Sequence, residues 1–280
     1  MINGLQMAVG GLGAIAATRP IELLLQFLSW REIFVLGGSA ALAVALIVWL
    51  VVPHTASRAN ESPGDDAGLD GLWRVISDRR FYAIAPLTAI TSGTMMAIQG
   101  LWATSWMMDV AALERAQAAN VLALMTGALI VGYLVIGKFA EWLSYRGTPT
   151  ITTAVSVMAL GLVPQSVIIA GITDAVSLTW MVYGFLSSAT ILTYAGLVQQ
   201  FPKKVAGRVI TAQNVCTFLS AFFAQWGLGL IINEWPSIDG SYLETGYGYG
   251  FGLLLALQGI ALIWYVIAQR QNSEKGPLTT

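Results

Sequence analysis

Two stripes of side chains carry the polar chemistry of this sequence. Met95, Gln99, Trp102 and Trp106 fall at i, i+4, i+7 and i+11, a spacing that stacks them on one face of a helix. Tyr183, Ser187, Thr190 and Tyr194 repeat the same spacing further along. An amide with two indoles, and a stripe rich in hydroxyls, suit a small organic solute. Rings stack on its apolar or cationic part and hydrogen bonds hold the rest. The same side chains could equally be contacts between helices. Gln99 is read as facing a cavity, because an amide in the middle of an apolar helix needs partners. Trp106 and residues 107–109 are read as an interfacial belt. Gln213, Asn214 and Gln225 are further candidates, either for the solute or as hydrogen-bonding glue between helices.

The elements that must position these groups are apolar runs of membrane length. The chain has 280 residues, 56% hydrophobic and 10% charged, with a mean hydropathy of +0.69. Soluble domains carry about 25% charged residues, so most of this surface meets lipid rather than water. A spanning helix needs about 20 mostly apolar residues. Eight such runs occur, at residues 2–28, 33–53, 81–108, 116–137, 148–172, 177–201, 209–233 and 247–269. The expectation is an all-α membrane protein of eight transmembrane helices. Between the second and third runs, residues 54–80 hold nine of the 29 charged residues, the single histidine His54, and Pro63, Gly64, Gly68 and Gly71. That interval is expected to be a water-exposed tether between two helix bundles. The other connections are short, which favours antiparallel neighbours. Pro86 and Pro164 are expected to bend their helices.

Lysine and arginine in the loops set the orientation. With eight spans, Arg58, Arg74, Arg79, Arg80, Lys138, Arg146, Lys203, Lys204, Arg208, Arg270 and Lys275 share one side, and Arg19, Arg31 and Arg115 the other. The excess places the tether and both termini in the cytoplasm. Residues 10–14 are small enough to mimic a signal-cleavage site, but no basic lead precedes them, so they are read as a closely packed helix. Arg19 and Glu22 are three apart and could pair along a helix, as an outer gate or a contact to a charged solute. A helix end reaching the outer interface explains them more simply. The last six spans hold no acidic residue clearly in mid-membrane, so coupling to a proton or another ion stays open.

Several local features then resemble the major facilitator superfamily of transporters, in its last eight of twelve helices. Trp30-Arg31 followed by Ile33-Phe34 resembles the start of the family's sixth helix. Gly137, Glu141, Arg146 and Gly147 resemble its cytoplasmic glycine–acid–basic loop in the second copy, after the eighth helix. Here Glu141 replaces the usual Asp, and Trp142 a usual basic residue. Gly10, Gly11, Gly13 and Pro20 loosely resemble the glycine-rich fifth helix of its antiporters, without the Gly-Pro pair. The passage from Phe201-Pro202 to Arg208, and the polar residues after it, resembles the step from the tenth to the eleventh helix.

The resemblance implies the following division. Residues 1–53 are the last two helices of an N-terminal half and 54–80 the cytoplasmic linker; 81–270 are a complete six-helix half and 271–280 a cytoplasmic tail. It also implies that the two stripes belong to cavity-lining helices. The expected function is a bacterial inner-membrane permease moving a small organic solute by alternating access, with the family's first four helices outside this chain. The alternative is a non-transporting membrane remnant or partner subunit. The bilayer and a small solute are the expected partners; no cofactor, metal or nucleic acid is expected.

Other classes are excluded by residue detail. Gly132-x-x-x-x-Gly137-Lys138 lacks the Ser or Thr of a phosphate-binding loop, since Phe139 follows, and no strand precedes it. Thr245 to Gly250 mimics a potassium filter but has no pore helices before it. His54 has no histidine partner for a metal. No H-E-x-x-H or G-x-S-x-G occurs, which argues against an enzyme of those types. Cys216, the single cysteine, reads as a small apolar filler.

Overall fold

The computed structural model describes residues 10, 12–13, 15–51, 69–237 and 240–274. Residues 2–9, 11 and 14 of the first expected span lie outside them. Its described part includes α1 (Arg19–Leu24), begun by Pro20, whose missing N–H costs nothing in a first turn. Next come α2 (Trp30–Val51) and α3 (Leu69–Ile76). A long helix follows in three pieces: α4 (Arg79–Ala97), a π-turn (Ile98–Trp102) and α5 (Ala103–Asp109). Then come α6 (Arg115–Tyr145), α7 (Thr150–Ile169), α8 (Val176–Ser187), α9 (Thr190–Val198), α10 (Ala206–Ile232) and α11 (Glu244–Glu274). Among the described residues, seven helical stretches are long and apolar enough to cross a membrane. They match the second to eighth expected runs.

Helix α2 begins with a capping box. The Ser29 N–H and hydroxyl donate to Glu32 Oε2 at 2.7 and 2.8 Å, and the Glu32 N–H returns to Ser29 Oγ at 3.4 Å. No residue of α2 is buried. By contrast α1 packs on α6, and Glu22 accepts from Arg115 Nε at 3.0 Å. The expected partner of Glu22 was Arg19, whose side chain lies outside the described residues. Arg115, the first residue of α6 and 93 positions away, reaches Glu22.

The tether is not wholly in water. Its described part holds α3, where Leu72, Val75 and Ile76 share one face and pack under the bundle, Val75 only 2% exposed. Trp73, on the opposite face, is exposed. Apolar spacing of i, i+3, i+4 docks this segment despite the charges around it. Asp78 then caps α4, accepting from the Arg80 N–H at 2.8 Å and from its guanidinium at 2.6 Å. Arg80 also donates to Gln200 O at 3.0 Å and lies over the Phe201 ring, tying α4 to the end of α9.

The hydrogen bonds from Arg80 hold the Asp78 carboxyl below the ordinary carboxylate range. A depressed folded-state pKa gives stability that is complete above about pH 4, the unperturbed value, and is lost as pH falls through the lower one. Asp78→Asn should therefore lower the melting temperature at neutral pH, with the gap to wild type closing as the solution is acidified below that range. A gap independent of pH would contradict the ion pair.

Six antiparallel crossings from α4 to α11 form the bundle, and its core falls into two clusters along the axis. One cluster holds Trp106, Trp180, Tyr183, Met125 and Phe251; the other, on the tether side, holds Phe81, Ile84, Leu87, Met158 and Leu197. Between them every crossing supplies polar or small residues. Thr88, Thr91, Gly93 and Thr94 come from α4, Gly132 from α6, Gln165 from α7 and Gly184 and Ser187 from α8. Gln213 and Thr217 come from α10 and Gln258 from α11. The glycines let backbones approach. A Cβ on Gly184 would lie 2.5 Å from Met125 O, and one on Gly132 2.6 Å from Phe185 O.

Candidate functional site

The buried polar residues of this middle tier are the candidate site. Two helix irregularities lie at or beside it. In the α4–α5 helix a bend was expected at Pro86, but the helix also relaxes into a π-turn at Ile98–Trp102. One extra residue in a turn rotates everything beyond it, and such bulges frequently occur at functional sites. Run 177–201 was also expected to be continuous, yet it breaks at Ser188 and Ala189. There the N–H groups of Ser188, Ala189, Ile191 and Leu192 bond three residues back instead of four. Hydroxyls crowd this break. Ser187 Oγ donates to Tyr183 O at 2.7 Å, Ser188 Oγ to Phe185 O at 2.7 Å, and Thr190 Oγ1 to Ser187 O at 2.9 Å. Side chains that bond their own backbone offer it an alternative to the helical ladder.

The first stripe consequently does not stay on one face. Met95 is buried in the cluster that holds Trp106 and Trp180. Gln99 Nε2 donates to Thr126 Oγ1 on α6 at 3.0 Å. Trp102 Nε1 turns to α10 and donates to Gln225 O at 3.2 Å, its ring edge-on to Tyr247 at 6.3 Å. Trp106 points to α8, with its ring 5.6 Å from Trp180. The belt reading is corrected for Trp106 and Met107, which are respectively 2% exposed and fully buried against neighbouring helices, whereas Met108 stays exposed. Asp109 accepts from Tyr247 OH at 2.6 Å.

The second stripe converges better. Tyr183 packs against Trp180 in the same cluster as Trp106. Tyr194 OH and Thr217 Oγ1 lie 2.9 Å apart, joining α9 to α10. Thr217 accepts from Gln213 Nε2 at 3.3 Å, and Gln213 also reaches Ala85 O at 3.4 Å. Thr88 donates to Thr193 at 2.8 Å in the same region. Gln213 is fully buried while its Oε1 has no partner, an acceptor left open in low dielectric. Asn214, one residue on, turns away from Gln213 and is exposed.

The expected loop motif lies at the tether end of α6. Nothing lies within 4 Å of a Cβ on Gly137, Glu141 is exposed, and the Arg146 guanidinium sits over the Trp142 ring at 3.9 Å. Gly147 ends the helix with φ +91°, and the Thr148 N–H closes back on Leu143 O at 3.1 Å.

Residues that the spacing argument missed are Thr126, Thr193, Thr217 and the amide pair Gln165 and Gln258, joined at 2.8 Å between α7 and α11. Thr126 and Gln258 are single polar residues in apolar runs, a signal visible in the sequence once lipid is taken as the solvent, whereas Thr193, Thr217 and Gln165 stand among other polar residues.

Among the described residues, seven helices of crossing length, six of them packed around a buried polar tier, define a multi-pass, all-α integral membrane protein. Residues 1–225 match the profile of the Major Facilitator Superfamily, and the chain belongs to that family of membrane transporters. It is also similar to an MFS-type efflux pump of Mycolicibacterium smegmatis, 26% identical over 147 residues. That match covers 52% of this chain and 34% of the relative, so the chain spans about a third of the protein it matches.

Proposed function

We propose that this chain is part of a secondary active permease that moves a small organic solute by alternating access. The unit at 81–270 would rock against the helices before the tether about the middle tier. The observation that carries this reading is the tier itself. Every crossing of the bundle places a polar or small residue there, and Gln213 Oε1 is buried without a donor. Gln99, Trp102, Met95, Tyr183, Ser187, Thr190, Tyr194 and Gln213 are its solute-pathway candidates, with Asn214 on the exposed flank. Gly137, Glu141, Arg146, Arg19 and Glu22 are its gating candidates, and Glu22 supports that role through its bond to Arg115 on α6. The setting is a bacterial inner membrane, with tether and termini in the cytoplasm. The name of the mycobacterial relative makes export the first direction to assay.

The test is accumulation of a fluorescent aromatic cation in cells expressing the protein. Expression should lower accumulation, and Gln99→Ala should weaken that effect severalfold at equal protein level. An unchanged rate in Gln99→Ala removes Gln99 from the pathway, and no effect of expression on any solute tested removes the permease reading. A second reading, a membrane partner subunit, is favoured by α2, whose whole surface is uncovered.

A further inference from the structure

Two adjacent arginines open α4 and have opposite fates. Arg80 is turned into the bundle by Asp78, Gln200 and Phe201. Arg79, about 100° around the helix, makes no hydrogen bond or ion pair among the described residues. It stands instead on the rim of a cleft of about 430 Å³ between the start of α4 and the end of α11. Gln271 shares that rim, and Tyr82, Trp264, Ile267 and Ala268 line the cleft below it.

The walls are fixed. Pro86 has no N–H, so the carbonyl of Tyr82 loses its helical donor. Trp264 Nε1 supplies one from α11 at 2.7 Å. The bond fixes the indole in the lining of the cleft while 49% of Trp264 and 46% of Tyr82 stay exposed. From Gln271 to Trp264 is seven residues, about 10 Å of helix rise. The cleft therefore has a cationic mouth at the tether end of the bundle and an apolar, aromatic-walled throat running toward the membrane centre.

We infer that this cleft holds one anionic phospholipid of the leaflet on the tether side. Its phosphate meets Arg79 and Gln271, and the first part of an acyl chain lies on Trp264 and Ile267. Charge complementarity selects the occupant: a lone guanidinium beside an amide offers donors and no acceptor charge. Its depth suits an amphiphile oriented along the bilayer normal. Basic pockets between membrane helices are suited to anionic headgroups.

The experiment is native mass spectrometry of the intact protein released from nanodiscs of mixed phosphatidylglycerol and phosphatidylcholine. Wild type should retain phosphatidylglycerol in preference to phosphatidylcholine. Arg79→Gln should weaken that retention about fivefold, the worth of one basic side chain near an anionic surface. Lys203→Gln removes an exposed charge at the same end of the bundle and should leave retention unchanged. Equal losses in the two variants would mean only a diffuse basic surface, and equal retention of the two lipids in wild type would mean no headgroup site; either overturns the inference. Wild type alone gives a second measurement. Phosphatidylglycerol with a diazirine in its acyl chain should cross-link to the peptides carrying Tyr82 and Ile267, and adducts confined to other helices would also overturn it.

Discussion

Trp264→Phe should destabilise the protein by about 1–3 kcal/mol, the cost of leaving a lipid-facing carbonyl without its partner. Water would soften that loss in a soluble protein. In the hydrocarbon region no water replaces the lost donor. The reason lies on another helix: Pro86 orphans the Tyr82 carbonyl, and Trp264 answers it at 2.7 Å. A double-mutant cycle isolates the effect. Pro86→Ala restores an N–H that can bond Tyr82 O within α4, so Trp264→Phe should cost far less in that background. Melting of the four proteins in one detergent decides the matter. Equal losses from Trp264→Phe with and without Pro86 would show that the indole contributes by packing alone.

Gly184→Leu should prevent a stable bundle from forming, and Gly184→Ala should already cost about 1–3 kcal/mol through overpacking. The neighbour in the way is Met125 O, 2.5 Å from the position of a Cβ, and a backbone carbonyl cannot swing aside as a side chain can. The control is Gly127→Ala on α6, where nothing lies within 4 Å. Alanine is the better helix former by up to about 1 kcal/mol, so Gly127→Ala should be neutral or stabilising. Size-exclusion profiles and melting temperatures of the two alanine variants give the comparison. If they behave alike, the close approach of α6 and α8 is not what the glycine serves.

Much of this architecture is legible in the sequence because lipid imposes a length. Seven apolar runs became crossings, most within a few residues of their expected ends although α6 runs on eight residues past 137, and the resemblance to the transporter family carried through. Irregular backbone was not legible. Nothing in Ile98-Gln99-Gly100-Leu101-Trp102 announces a π-turn, since all but the glycine are tolerated in ordinary helices, so the face shared by Gln99, Trp102 and Trp106 was drawn too simply. Ser187-Ser188-Ala189-Thr190 could have been suspected, because three neighbouring hydroxyls compete for helical carbonyls. The docking of α3 was written in Leu72, Val75 and Ile76, but the surrounding charges dominated the reading of 54–80. The links from Glu22 to Arg115 and from Trp264 to Tyr82 span 93 and 182 positions. No local pattern fixes such pairings; they depend on which helices become neighbours.

The three-tier construction sets the energetic character of any opening at the centre. Parting the ends of the bundle would tear apolar surface from apolar surface, and every atom along the seam would forfeit its dispersion attraction. Parting the middle would mainly exchange hydroxyl and amide partners such as Thr88 with Thr193, or Tyr194 with Thr217. Water molecules entering the gap can take over each of those bonds almost one for one. The centre can therefore hydrate at modest cost while both ends stay dry and clamped.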